Sequence, residues 1–226
     1  MTATVQSVER AFAILETFDE EHATRSAAEI ARLTGLARPT TYRLLQTLEQ
    51  LGYVRSVDGR FEVTPRVLRL GAGLLGRNSI AAQAQPILDD LSQQLGEHAA
   101  IGALDGNEVI TLAASSTLQS RLLSIAVHSG QRLPATSTSL GLVLLAHRPG
   151  ADHPDCAAIR DAGHVITDGT LESGLRAIGV PVRDRSGVVV VSMSIGVNAS
   201  RVPVDELRTR CLPPLLEAAA QLSQRL

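Results

Sequence analysis

One stretch, residues 26–51 with sequence SAAEIARLTGLARPTTYRLLQTLEQL, restricts the possible folds most. Ser26 and Glu29 stand at capping-box spacing, so the hydroxyl can accept from the Glu29 amide while the carboxylate reaches back. Ala27, Ile30, Ala31 and Leu33 then form a short helix, and Gly35 supplies a left-handed C-terminal cap. Pro39 falls near the first position of a following helix, where its missing N–H costs little. Two short helices joined by so tight a turn make a helix-turn-helix.

The second helix is expected to start near Arg38 and to point Leu44, Leu45, Leu48 and Leu51 inward, together with Thr41. Arg38, Thr40, Tyr42, Arg43 and Gln46 are left on or beside the outer face. The N-terminal half of such a helix suits the major groove of double-stranded DNA, where arginine reads guanine and hydroxyls hold phosphates. Next, LGYVRSVDGRFEVT gives two short alternating strands about Asp58-Gly59, a hairpin wing flanked by Arg55 and Arg60. The candidate DNA contacts are therefore Arg38, Thr40, Thr41, Tyr42, Arg43, Gln46, Arg55 and Arg60, although Thr41 also belongs to the inward stripe. Ahead of this module, Val8, Ala11, Phe12, Leu15 and Phe18 predict a first helix over Ser7–Phe18, followed by a DEEHATR loop.

Charge follows the same division. Residues 32–77 carry eight arginines against three acids, while residues 1–31 and 78–226 are each net acidic and the whole chain is −2. A local surface for a polyanion has this form. A solvated basic face on an ordinary helical domain would carry the charge too, but not capping box, glycine turn, basic helix and basic wing in that order. The two cysteines, Cys156 and Cys211, make no disulfide framework and fit a reducing compartment. MTATVQSVER has no apolar signal core, and no run approaches the ~18–20 apolar residues of a membrane span. A cytoplasmic protein without membrane contact is expected.

SVERAFAILETF, AEIARLTGLARPTTYRLLQTLEQLGYV and FEVTPRVLRLG resemble the N-terminal domain of the IclR family of bacterial transcriptional regulators. The resemblance continues through LSQQLGEHAAIGALDGNEVITLA, SGQRLPATSTSLGLVLLA, GLRAIGVPVRDRSG and LRTRCLPPLLEAA, and so covers nearly the whole chain. Glu97-His98, GQRLPATSTSLG and LPPLLEAA are most similar to the subgroup that governs aromatic-acid catabolism through the β-ketoadipate pathway, the Pca and Pob regulators. One winged helix-turn-helix buries too little surface for operator-level specificity, so a dimer on a palindromic operator is expected; the resemblance implies that two dimers act together and that the effector domain is similar to GAF and PAS sensor folds. The fold class expected is thus α+β: a winged helix-turn-helix over residues 1–64, a linker helix over 65–77, and an effector-binding and oligomerisation domain over 78–226.

Gly71-Ala72-Gly73-Leu74-Leu75-Gly76 matches the G-x-G-x-x-G dinucleotide fingerprint, which requires a preceding strand. PRVLRL precedes it with Val67, Leu68 and Leu70 at helical spacing, so these residues read as the linker helix and no cofactor is expected. From Ser79 the pattern becomes mixed. A helix over 79–95 turns Ile80, Ile87, Leu88, Leu91 and Leu95 inward, and His98–Leu104 pairs with Asn107–Ala113. Further strands are predicted at Arg121–Val127, Val165–Thr167, Leu175–Val182 and Val188–Val197, with helices over Thr136–His147 and Val204–Leu226.

All five aromatic residues lie in the first seventy-seven positions. A pocket in the second domain must therefore work through shape, aliphatic contact and polar groups. VVVVSMSIGV places Ser192, Ser194 and Gly196 on one face and Val191, Met193, Ile195 and Val197 on the other. The first face suits a cavity wall, or simple packing of small residues. Thr136, Ser137, Thr138 and Ser139 open a helix after Pro134, and their amides and hydroxyls suit a carboxylate; plain N-capping is compatible with that role. The resemblance implies a small organic acid, probed by Ser194 and Gly196 and by Thr167 and Ala177. At these last two positions some family members carry a carboxylate or a thiol, absent here. It also implies several helical turns after the LLA phrase, where only HRPGADHPDCAAIRDA intervenes, leaving the pocket more open or shifting the assembly surface.

His153-Pro-Asp-Cys156, near His147 and His164, lacks the convergent four-ligand pattern of a zinc site and reads as surface residues. No nucleophile elbow, H-E-x-x-H or Walker loop marks a catalytic residue, so the chain is expected not to be an enzyme. The rival reading is a metabolite-binding or enzymatic sensor-fold protein with a vestigial helix-turn-helix.

Overall fold

The computed structural model describes residues 4–19, 22–72, 79–115, 128–150 and 153–226. The chain divides into two units, residues 1–73 and 74–226. In the first, α1 (Gln6–Leu15) leads to β1 (Thr24–Arg25), α2 (Ala27–Thr34) and α3 (Arg38–Gln50). The hairpin β2 (Val54–Val57) and β3 (Arg60–Val63) follows, then a 3₁₀ turn over Pro65–Arg69. The capping box is present: the Ser26 amide donates to Glu29 Oε2 at 2.6 Å and the Glu29 amide to Ser26 Oγ at 3.3 Å. The Ser26 amide, and after it the Ser26 hydroxyl donating to Oε2 at 2.8 Å, hold the Glu29 carboxyl below its ordinary range. Gly35 closes α2 at φ 68°, and Asp58 and Gly59, both at positive φ, form the wing's turn.

Three expectations change. Helix α1 stops at Leu15, three residues early: the Thr17 amide and Oγ1 both turn back to Ile14 O, at 3.1 and 2.7 Å, and just past the end Arg25 Nε donates to Thr17 O at 2.5 Å. Only Ile14 of α1 is fully buried, and Val8 and Phe12 stay half exposed. The predicted DEEHATR loop contains β1, which pairs with β3 to give the order β1-β3-β2. Leu51 is half exposed, since α3 ends at Gln50 and Gly52 turns the chain away at φ 77°.

The second unit is a six-stranded antiparallel sheet between helical layers. Its elements are α4 (Ile80–Leu95), β4 (His98–Asp105), β5 (Glu108–Ala114), β6 (Arg132–Pro134), α5 (Ser139–His147), α6 (Cys156–Ala162), β7 (Val165–Asp168), β8 (Leu175–Arg183) and β9 (Val189–Asn198). A terminal helical segment from Val204 ends as α7 (Leu212–Ser223), and the strand order is β6-β5-β4-β9-β8-β7. Strand β9 shows how the layers arise. Val191, Met193, Ile195 and Val197 pack on one face against Leu88 and Leu91 of α4 and Leu215 and Leu222 of α7. Ser192 and Ser194 face the other way, toward the α5 layer. The alternation sorts the strand by polarity.

The terminal helix departs from the single run expected. A π turn occupies Leu207–Cys211, just before Pro213 and Pro214, whose missing N–H groups cannot complete the ordinary ladder. Strand β6 and helix α6 were not anticipated, and the strand predicted over Arg121–Val127 lies outside the described residues. So do residues 73–77 of the predicted linker helix, with most of the glycine fingerprint; the chain before them is the 3₁₀ turn rather than a strand. Glu97, nearly fully buried, joins β4 to the terminal segment. Its two oxygens lie 2.5 Å from Arg201 Nη2 and 3.1 Å from Arg210 Nη2.

Candidate functional sites: a basic helix with its wing, and a cavity beside helix α5

Helix α3 begins at Arg38 with Pro39 in its first turn, and Leu45 and Leu48 anchor it in the core with Ile14, Ile30, Val54 and Phe61. That anchorage leaves Arg38, Tyr42, Arg43 and Gln46 exposed on one side, with Thr40 half-buried beside them. Among the described residues neither Arg38 nor Arg43 forms an ion pair. Their charge is available to a phosphate or a base edge. Thr41 is removed from the set: its side chain is fully buried and its hydroxyl donates back to Ala37 O at 3.3 Å.

The wing arginines behave differently. Arg55 is exposed but engages Glu62 across the hairpin. Arg60 donates from Nε to Thr24 Oγ1 at 3.1 Å and from Nη2 to Thr24 O at 2.9 Å, and its Nη2 lies 3.1 Å from Glu29 Oε2. Arg60 therefore braces the wing against α2 and β1.

In the second unit α5 sits close against strand β8 and against the turn that precedes the helix. A Cβ added at Gly179 would stand 2.8 Å from Ser139 O, and one at Gly141 would stand 2.2 Å from Ala135 O. Ser192 Oγ donates to Leu140 O at 2.8 Å, tying the helix start to β9. Thr138 caps the helix by accepting from the Gly141 amide at 3.0 Å. The other first-turn amides, of Ser139 and Leu140, have no acceptor within the helix and stand at the wall of a cavity.

The cavity proper is small, about 50 Å³, and opens to solvent at its mouth. Strand register explains its floor. His98 stands opposite Gly196, Gly196 opposite Ala177, and Ala177 opposite Thr167, so one row crosses four strands. The middle of that row is a glycine and an alanine, which leaves room above the sheet. Ser194 and Ala100, also paired, form the next row. Ser137, Thr138, Ser139 and Leu140 bound one side, and Leu133, Thr170, Leu171 and Leu175 complete the lining.

Of the residues expected here, Ser137, Thr138, Ser139, Thr167, Ala177, Ser194 and Gly196 line the cavity. Two do not. Thr136 is exposed in a 3₁₀ turn over Ala135–Ser137, because α5 starts three residues later than expected, at Ser139. Ser192 is fully buried under α5 with its hydroxyl committed to Leu140. Sequence reasoning missed His98, Ala100, Thr170 and the leucines as lining residues. For His98 a signal existed, since alternation places it on the same face of β4 as Ala100.

The short segment after α5 is resolved as a helix. Cys156 and Ile159 of α6 pack with Leu142, Val143 and Ala146 of α5, and Arg160 Nη1 donates to Ala146 O at 2.6 Å. Cys156 is buried in that contact, and among the described residues none from 148 to 163 lines the cavity.

Residues 7–58 match the IclR helix-turn-helix domain, and residues 72–154 and 153–224 match the bacterial transcriptional regulator IclR C-terminal domain. The Pca regulon regulatory protein of Pseudomonas putida is 35% identical, over 97% of this chain and 84% of its own length. The p-hydroxybenzoate hydroxylase transcriptional activator of Acinetobacter baylyi is 28% identical, over 96% of this chain and 90% of its own. Among solved structures, an IclR homologue from Microbacterium hydrocarbonoxydans complexed with 4-hydroxybenzoate superposes with a TM-score of 0.77 at 26% identity, covering 97% of this chain and 98% of that one.

Proposed function

The chain belongs to the IclR family of bacterial transcriptional regulators, and on that premise we propose that a small organic acid, aromatic or a ring-cleavage product, controls its action at a palindromic operator. The observation that carries this reading is the cavity beside α5: hydroxyls and first-turn amides over a floor of small residues, held in a unit joined to a DNA reader. Neutral donors at a helix start suit a carboxylate. The bound 4-hydroxybenzoate of the Microbacterium homologue supports the ligand class.

Residues 1–64 read DNA, 65–77 link, and 78–226 sense and assemble. Arg38, Thr40, Tyr42, Arg43 and Gln46 contact DNA, with Arg55 at the wing; Ser137, Thr138, Ser139, Thr167, Ala177, Ser194 and Gly196 hold the acid. The protein acts in the cytoplasm, by binding rather than catalysis, as the regulator names of relatives spanning nearly its whole length support. No helix among the described residues is long and apolar enough to cross a membrane. The unit acts as a dimer or a dimer of dimers. An apolar stripe on α1 supports self-association, since Val5, Val8 and Phe12 lie at helical spacing and are each at least half exposed. The effector acts by binding one arrangement of the paired DNA-reading heads better than another.

The test is twofold. Calorimetry with 4-hydroxybenzoate, protocatechuate, muconate and β-ketoadipate should find at least one binder. Footprinting on the DNA upstream of the gene should then show two half-sites about 10 bp apart, or a multiple, altered by that binder. Binding of neutral ligands only, or a single unpaired half-site, contradicts the reading.

A further inference from the structure

We infer that His98 is the counter-charge of the bound acid, and that the imidazole takes up a proton as the acid enters. The inference rests on the acid-sensing reading above. Its ground is the composition of the cavity wall: no arginine or lysine lines it, and His98 is the one titratable side chain among the described lining residues. His98 is itself more than nine-tenths buried. A carboxylate stripped of water in such a site needs a compensating charge. The start of α5 supplies only about half a unit of positive charge.

The charged groups near His98 are occupied elsewhere. Glu97, the preceding residue, is bound by Arg201 and Arg210 on the side of the terminal helix. Arg176 of β8 holds Asp168 of β7 at 2.6 Å and donates to Val202 O at 2.6 Å. On β9, residues 194–198 are SIGVN, without an ionisable side chain. Helix α5 carries only His147, at its far end, bonded to Val143 O at 2.8 Å. The acid's charge therefore falls to His98. Protonating the imidazole gives the carboxylate a partner inside the cavity, where leaving it unpaired would be costly.

The sign follows. Binding raises the His98 pKa, so affinity is full below the free-protein value and falls by about tenfold per pH unit up to the bound-state value, levelling off above it. The experiment is calorimetry of the full chain with benzoate, 4-hydroxybenzoate and adipate at pH 6 to 8.5, each in two buffers of different ionisation enthalpy, with 4-hydroxybenzamide as the uncharged comparison. Expected is net proton uptake with the acid that binds and none with the amide. His98→Gln should abolish the uptake and weaken the acid about 10- to 100-fold, with a cooperative melting transition as the check that the variant folds. Acid binding without proton uptake overturns the role of His98 while leaving the acid-sensing reading intact. Uptake that persists in His98→Gln overturns it as well, because the ligand itself then carries the proton. If no acid in the panel or the wider set binds, the acid-sensing reading fails and this inference falls with it.

Discussion

Helix α3 opens with a run of polar residues and helix α5 follows one, yet the two units use these residues in opposite ways. Helix α3 buries one stripe and leaves Arg38, Tyr42 and Arg43 in water. Helix α5 is buried on almost every side and offers hydroxyls and amides to an enclosed space. The partners differ accordingly. DNA presents many charges to a wet surface, where each contact is screened and several mobile arginines must act together. A small acid presents one charge to a dry site, where a few fixed dipoles and one histidine suffice because the surroundings respond weakly.

The comparison breaks most visibly at the seat of α5. Gly141→Val would drive a side chain into the Ala135 backbone, and the second unit should lose roughly 1–3 kcal/mol or more of stability. Thermal unfolding would register it. Gln46→Val, an exposed change on α3, should leave the melting temperature nearly unmoved; equal losses would mean that α5 is not the tightly docked element.

Ser194→Val sharpens the contrast at the ligand. Losing a hydroxyl from a carboxylate contact should cost about 1.5–3 kcal/mol of acid affinity. Ser192→Ala should lower stability instead, since its hydroxyl serves Leu140. The reverse pattern in a paired titration and melt would relocate the pocket.

On the DNA side, Arg43→Ala should remove about 1–3 kcal/mol of operator discrimination if it reads a base, or flatten the salt dependence if it meets a phosphate. Arg60→Ala, which frees Thr24 and Glu29, should act mainly by loosening the wing. Mobility shifts at several salt concentrations, beside melting curves, separate the two arginines. Unchanged binding for Arg43→Ala would remove the recognition-helix assignment.

The smallest effect is acid sensitivity of the first unit. Hydrogen bonds from Ser26 lower the Glu29 pKa, and a side-chain bond from His22 heads the causes that lower that of Asp19. A depressed carboxyl contributes stability above its unfolded value, near pH ~4, and loses it as pH falls through the folded one. Glu29→Gln should therefore show a shallower acid limb in pH-dependent unfolding. An identical limb would leave the capping carboxylate without a role in acid stability.

Local chemistry made the first unit legible. Capping box, Gly35, Pro39 and the Asp58-Gly59 turn each act over three or four residues, and each is where sequence placed it. Likewise the alternation of β9 alone sorted Met193 and Ile195 from Ser194 and Gly196. What sequence could not decide was everything that depends on a partner distant in the chain. Strand β1 needed β3, thirty-six residues on, to be a strand at all. Thr41 stood in both the inward stripe and the DNA set, and Ser192 read as cavity wall, until the core and α5 covered them. Leu133, Leu171 and Leu175 became cavity wall only through the β6-β5-β4-β9-β8-β7 order and the loop that precedes β8. A local signal needs only neighbours along the backbone, whereas a cavity is the space left after distant elements pack, and only the tertiary structure states which elements those are.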